Sequence, residues 1–124
     1  MSTVRFITRI VVVAIACAVG TEWIGWASLP VVGLIYGVTD RRARARGTIA
    51  ALGAVLGWLA ILGIAAARGT DVRAVAVNMG GVFQVSSVTF ALMTLIFAAL
   101  LGGTAAVLGA SVIDARSTKL PKPD

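Results

Sequence analysis

The chain predicts an all-α fold of the polytopic membrane class, with four transmembrane helices and a short amphipathic interfacial segment before the last of them. Three observations carry this. The 124 residues are 59% hydrophobic, with a mean hydropathy of +0.98, which is more apolar surface than a soluble domain of this size can bury. The apolar residues form long uncharged runs on the scale of the ~20 helical residues that cross a hydrocarbon core. The basic residues fall between these runs in three main clusters: Arg5 and Arg9; Arg41, Arg42, Arg44 and Arg46; Arg116, Lys119 and Lys122. Loops on the cytoplasmic side of a membrane carry such an excess of Lys and Arg.

The first run covers residues 10–21 and extends back to Val4 if Arg9 snorkels toward the surface. It ends at Glu22-Trp23, a carboxylate and an indole suited to the opposite interface. A second run, residues 24–38, returns to Asp40 and the arginine cluster. One helix from residue 9 to residue 40 would measure about 45 Å and hold Glu22 near its middle, so a tight hairpin is expected. Pro30 lacks a backbone donor, which predicts a kink or a helix start near Leu29.

Residues 48–67 form the third span, uncharged, with Trp58 its only large side chain with a polar edge. Residues 69–87 break the pattern with Asp71, Arg73, Asn78, Gly80-Gly81 and Gln84. Val72, Val75, Met79 and Phe83 share one helical face there, which predicts a short amphipathic piece lying in the interface. The paired glycines argue against one rigid helix through it. The fourth span, residues 88–113, is long enough to tilt or project. Residues 1–113 thus make one four-helix domain, and residues 114–124, with Pro121 and Pro123, a disordered basic cytoplasmic tail.

With four spans, nine basic residues lie on one side and two, Arg68 and Arg73, on the other. The bias places both termini in the cytoplasm and opposes dual insertion; the expected location is a bacterial inner membrane. A targeting signal competes for the first span: Arg5 and Arg9 would be its basic region, residues 10–16 its apolar core, and Ala16-Cys17-Ala18 its small-residue site. The retained reading is an uncleaved span.

The formal charge of +6 would suit phosphate binding in a soluble protein, but no RNA- or DNA-binding motif accompanies it and no nucleic acid is expected. The chain has no His and only Cys17, which excludes a disulfide within the chain and a Cys/His zinc site. A positioned nucleophile with its base is missing, so neither catalysis nor a cofactor or metal is expected. Glu22, Asp71, Arg73, Asn78 and Gln84 are the candidates for an outer polar site. Arg41, Arg42, Arg44 and Arg46 are the candidates for a lipid headgroup, each contributing roughly 1 kcal/mol beside an anionic leaflet.

Close helix packing is the clearest specification. Small residues four apart let helix backbones approach in lipid, where hydrophobic drive between helices is weak. Gly33 and Gly37 form such a pair, Gly53 and Gly57 another, and Ala98, Gly102, Ala106 and Ala110 a longer stripe.

In length and span number the chain is similar to small multidrug-resistance transporters, but Glu22 lies at a span end rather than well inside the first helix. The basic 2–3 loop, Gly53-Gly57-Trp58, the glycine-containing amphipathic stretch and the Gly/Ala-rich last helix together resemble small bacterial four-helix integral membrane proteins. That resemblance implies the fold and no activity. The expected role is a non-catalytic structural or accessory subunit, partnered by the bilayer and by other membrane helices or further copies of itself. The alternative is a small oligomeric channel or transporter, with Thr94, Thr104 and Ser111 beside a pathway.

Overall fold

The computed structural model describes residues 3–40 and 45–117. Its elements are α1 (Thr3–Ile24), a single 3-10 turn (Gly25–Ala27), α2 (Ser28–Thr39), α3 (Arg46–Ala67), α4 (Val72–Val82) and α5 (Ser87–Ser117). Three stretches are long and apolar enough to cross a membrane: Thr3–Thr39, Arg46–Ala67 and Ser87–Arg116.

The first of these is folded back on itself. The Arg9 guanidinium lies 2.9 Å from the Asp40 carboxylate, two residues that a continuous helix would hold about 45 Å apart. The reversal sits at Gly25, where φ is +78°, a left-handed conformation open to glycine at little cost. The expected corner at Glu22-Trp23 is therefore corrected to 25–27: both residues are helical, and the chain turns where a side chain would be strained. Pro30 falls in the first turn of α2, where its missing N–H would have had no helical acceptor. It starts the helix rather than kinking it.

Four helices make a square bundle in the spatial order α1, α3, α5, α2, with α2 closing back on α1. α1 and α5 stand on opposite corners, and α2 and α3 touch across the shorter diagonal. The facing residues give the directions. Gly53 faces Val13 and Gly57 faces Cys17, so α1 and α3 run parallel; Gly33 faces Gly102 and Gly37 faces Ala106, so α2 and α5 run parallel. Ala50 and Ala54 face Gly102 while Gly47 faces Val107, so α3 and α5 are antiparallel. The start of α1, the end of α2, the start of α3 and the end of α5 thus meet at one end, here called the basic end. Arg116 in the last turn of α5 complements the negative end of that helix.

α3 stops with Gly69 at φ +89°. Gly69 N–H donates to Ala66 O and Thr70 N–H to Ala65 O, both at 3.0 Å, a pair of bonds that satisfies the last carbonyls. Asp71 then caps α4 by accepting from Ala74 N–H at 2.9 Å. Ser86 opens α5, its Oγ accepting from Thr89 N–H at 3.1 Å. Helix α5 continues past Ile113 to Ser117, so part of the expected tail is helical; residues 118–124 lie outside the described residues.

Helix α4 keeps most of its apolar face outward and packs by another. Val75, Met79 and Phe83 are exposed, while Gly80 is buried and Val72 and Ala76 are half-buried. Gly80 decides this: a Cβ there would lie 2.8 Å from Val85 O, so the bare backbone is what lets α4 abut the chain leading into α5. The glycine pair is accommodated within the helix.

Candidate functional site

The bundle is filled by small side chains and covered by large ones. Ala50, Ala54, Ala98 and Ala106 are buried, and Ile49, Cys17 and Ser28 are the largest fully buried side chains. Val12, Ile15, Val19, Leu34, Ile35, Ile96, Phe97, Leu100 and Leu108 lie on the exterior. Backbones therefore meet directly. A Cβ at Gly33 would lie 2.5 Å from Gly102 O, one at Gly57 2.9 Å from Ala14 O, and one at Gly102 3.0 Å from Ala50 O. Each predicted packing residue occupies such a seam: Gly33 and Gly37 between α2 and α5, Gly53 and Gly57 between α1 and α3, and Gly102 against both α2 and α3. Ala98, Ala106 and Ala110 are buried on the same α5.

One small-residue surface faces outward. Gly47, Thr48 and Ala51 of α3 and Ala99, Gly103 and Thr104 of α5 floor an open groove of about 780 Å³, walled by Ile96, Leu100, Val107 and Leu108.

At the basic end, Asp40 accepts from Tyr36 Oη at 3.0 Å while pairing with Arg9. Arg46 lies within electrostatic reach of the same Tyr36. This joins α1, α2 and the start of α3 around Ile10 and Ile49. Of the headgroup candidates, Arg46 is half-buried in this corner, and Arg41, Arg42 and Arg44 lie outside the described residues.

The outer polar candidates do not converge on one site. Asp71 is taken up as a helix cap. Glu22 makes a long 3.8 Å pair with Arg68, both largely exposed. Arg73 and Asn78 lie on the exposed side of α4, and Gln84 is an exposed turn residue at φ +57°. The hydroxyls proposed to line a pathway serve their own helix: Thr94 donates to Ala91 O, Thr104 to Leu100 O and Ser111 to Val107 O. Thr104 and Ser111 are on the exterior.

Two features escaped the sequence reading. Ser28, the buried polar side chain, lies 2.8 Å from Thr21 Oγ1. Because Thr21 gives its proton to Cys17 O at 2.7 Å, Ser28 is the donor in that pair. The other is an apolar cavity of about 550 Å³ near the end opposite the basic one, walled by Trp26, Trp58, Phe83, Met93 and Phe97. These aromatics come from four separate elements, and no local spacing announces them. Among the described residues, no group of three or more Cys, Asp or Glu side chains could hold a metal ion. No family model, curated protein or solved structure matches the chain.

Proposed function

We propose that the chain is a four-span bacterial inner-membrane protein with both termini cytoplasmic, acting as a non-catalytic accessory subunit that packs against other membrane helices or further copies of itself. The apolar exterior and the gathering of Arg9, Arg46 and Arg116 at one end support the membrane reading and its orientation. The second crossing is short. At 12 residues α2 measures about 18 Å, a mismatch that bilayer thinning and snorkelling accommodate at modest cost.

The observation that carries the accessory role is the groove between α3 and α5. Gly47, Ala51, Ala99 and Gly103 are half-buried, with Gly47, Ala51 and Gly103 in contact across the α3–α5 seam, and they floor a groove lined by these two helices alone and open to the exterior. A transport path through a single copy has less support, because among the described residues the core is built of apolar side chains apart from Ser28.

The test is the native mass of the tagged protein after gentle extraction, with identification of whatever co-migrates. The account expects foreign subunits or further copies at fixed stoichiometry, lost in a Thr104→Phe variant that fills the groove. A monomer with no defined companion would overturn it.

A further inference from the structure

The aromatic cavity lies outside the packing seams and carries its own chemistry. Leu29 and Ala98, both buried in the core, form its floor. Trp58 and Leu101, half-buried against that core, form one side, and Trp26 and Phe83 stand at the rim. Its volume of about 550 Å³ falls within the ~300–1,000 Å³ of ordinary small-molecule sites. Met93 and Phe97 are exposed as well, so the site opens to the exterior. Gly25 in its left-handed conformation sets the turn that presents Trp26, and Phe83 stacks on Phe90 with ring centroids 5.9 Å apart.

The lining dictates what fits. No charged residue faces the cavity, so a carboxylate or phosphate would be desolvated there without a partner. Planar walls reward a planar occupant, since stacked or edge-on aromatic pairs gain roughly 0.5–1.5 kcal/mol beyond burial alone. A saturated acyl chain would gain only the burial. Among the lining side chains, Trp26 and Trp58 carry indole N–H donors and Thr94 a hydroxyl. Thr94 already donates to Ala91 O at 2.7 Å; among the described residues the two indoles donate to no protein group. Indole is a donor only, so the complementary ligand brings acceptors.

We propose that this cavity binds a neutral, flat, conjugated ring bearing carbonyl oxygens, of the lipid-soluble quinone class, with the ring between the aromatic walls and a carbonyl oxygen accepting from an indole. The site is a binding site only; no electron transfer is assigned to it. It goes beyond the accessory role and stands independently of the α3–α5 groove.

The experiment uses the Trp23→Phe protein in lipid nanodiscs, where both remaining indoles line the cavity. The probe is a naphthoquinone carrying one prenyl unit, read by quenching of indole emission. Quenching is expected to saturate at one quinone per chain. Thr94→Phe, which fills the cavity, is expected to weaken the apparent affinity at least tenfold with unchanged helical circular dichroism. Adding Trp58→Phe keeps the aromatic wall but removes one donor; it is expected to weaken the quinone several-fold and to leave a prenylated naphthalene without carbonyls unaffected. This second variant decides the matter if Thr94→Phe fails to fold. Quenching that rises linearly with quinone and is equal in all variants would overturn the proposal. So would strong quenching by phospholipids with brominated acyl chains that quinone does not relieve, which would assign the cavity to a lipid tail.

Discussion

The packing of α2 on α5 makes a sharp prediction at Gly37. A Cβ there would lie 2.8 Å from the Ala106 carbonyl carbon and 2.9 Å from its Cα, about 0.6 Å short of the 3.4 Å at which ordinary contact begins. The obstructing atoms are backbone, so no rotamer relieves the clash, and the two helices must separate along the whole seam that also holds Gly33 and Gly109. Overpacking of this kind costs typically 1–3 kcal/mol, with this site near the upper end because neither side yields. Ala returns about 1 kcal/mol over Gly as a helix former. The net loss for Gly37→Ala is therefore about 2 kcal/mol, roughly a 30-fold fall in the folded-to-unfolded ratio. Gly63, in the middle of a turn of α3 with nothing within 4 Å of its Cβ position, serves as the control: Gly63→Ala keeps the propensity gain of up to ~1 kcal/mol without a clash. Reversible unfolding in mixed micelles, followed by circular dichroism, reads both. Equal stability of the two variants, or a more stable Gly37→Ala, would refute the claim that backbones meet at this seam.

The Arg9–Asp40 pair, 2.9 Å apart with Asp40 largely buried, should show a coupling of about 1–2 kcal/mol in a double-mutant cycle with Arg9→Met and Asp40→Asn. The exposed Glu22–Arg68 pair at 3.8 Å should show less than about 0.5 kcal/mol and lose it in salt. Ser28→Ala removes a donor from a buried pair and is expected to cost about 0.5–1.5 kcal/mol in the same unfolding assay. Cys17, 1% exposed between α1 and α3, should resist a membrane-permeant maleimide in the folded protein and react once the bundle is unfolded; rapid labelling of the native state would contradict the packing.

Much of the fold was legible because apolar run length and charge position are local properties. Arg9 and Asp40 bracket a stretch too long for one crossing with Glu22 in its middle, and that alone demands a reversal. The exact corner was not legible, since Glu22 and Trp23 tolerate helix as well as interface and only the conformation of Gly25 discriminates. The glycine and alanine stripes announced close contact, but a stripe does not name its partner. Gly53 could have met any neighbour, and only the spatial order of the helices pairs it with Val13. The exposed apolar face of α4 follows the hydrophobic pattern at Val75 and Met79, but its packed face left no such signal, because a residue without a side chain, Gly80, sets the approach. The same limit hid the aromatic cavity: Trp26, Trp58, Phe83 and Phe97 become neighbours only after the 3-10 turn, α3, the end of α4 and α5 assemble.

The most direct test of the accessory role is cross-linking in the native membrane from a photoreactive residue placed at Thr104 in the α3–α5 groove, compared with one at Ile15 on the exposed face of α1. The account predicts a discrete protein adduct of constant mass from Thr104 and only lipid adducts from Ile15. Lipid adducts alone from both positions, or equal protein adducts from both, would contradict a docking groove and with it the proposed role.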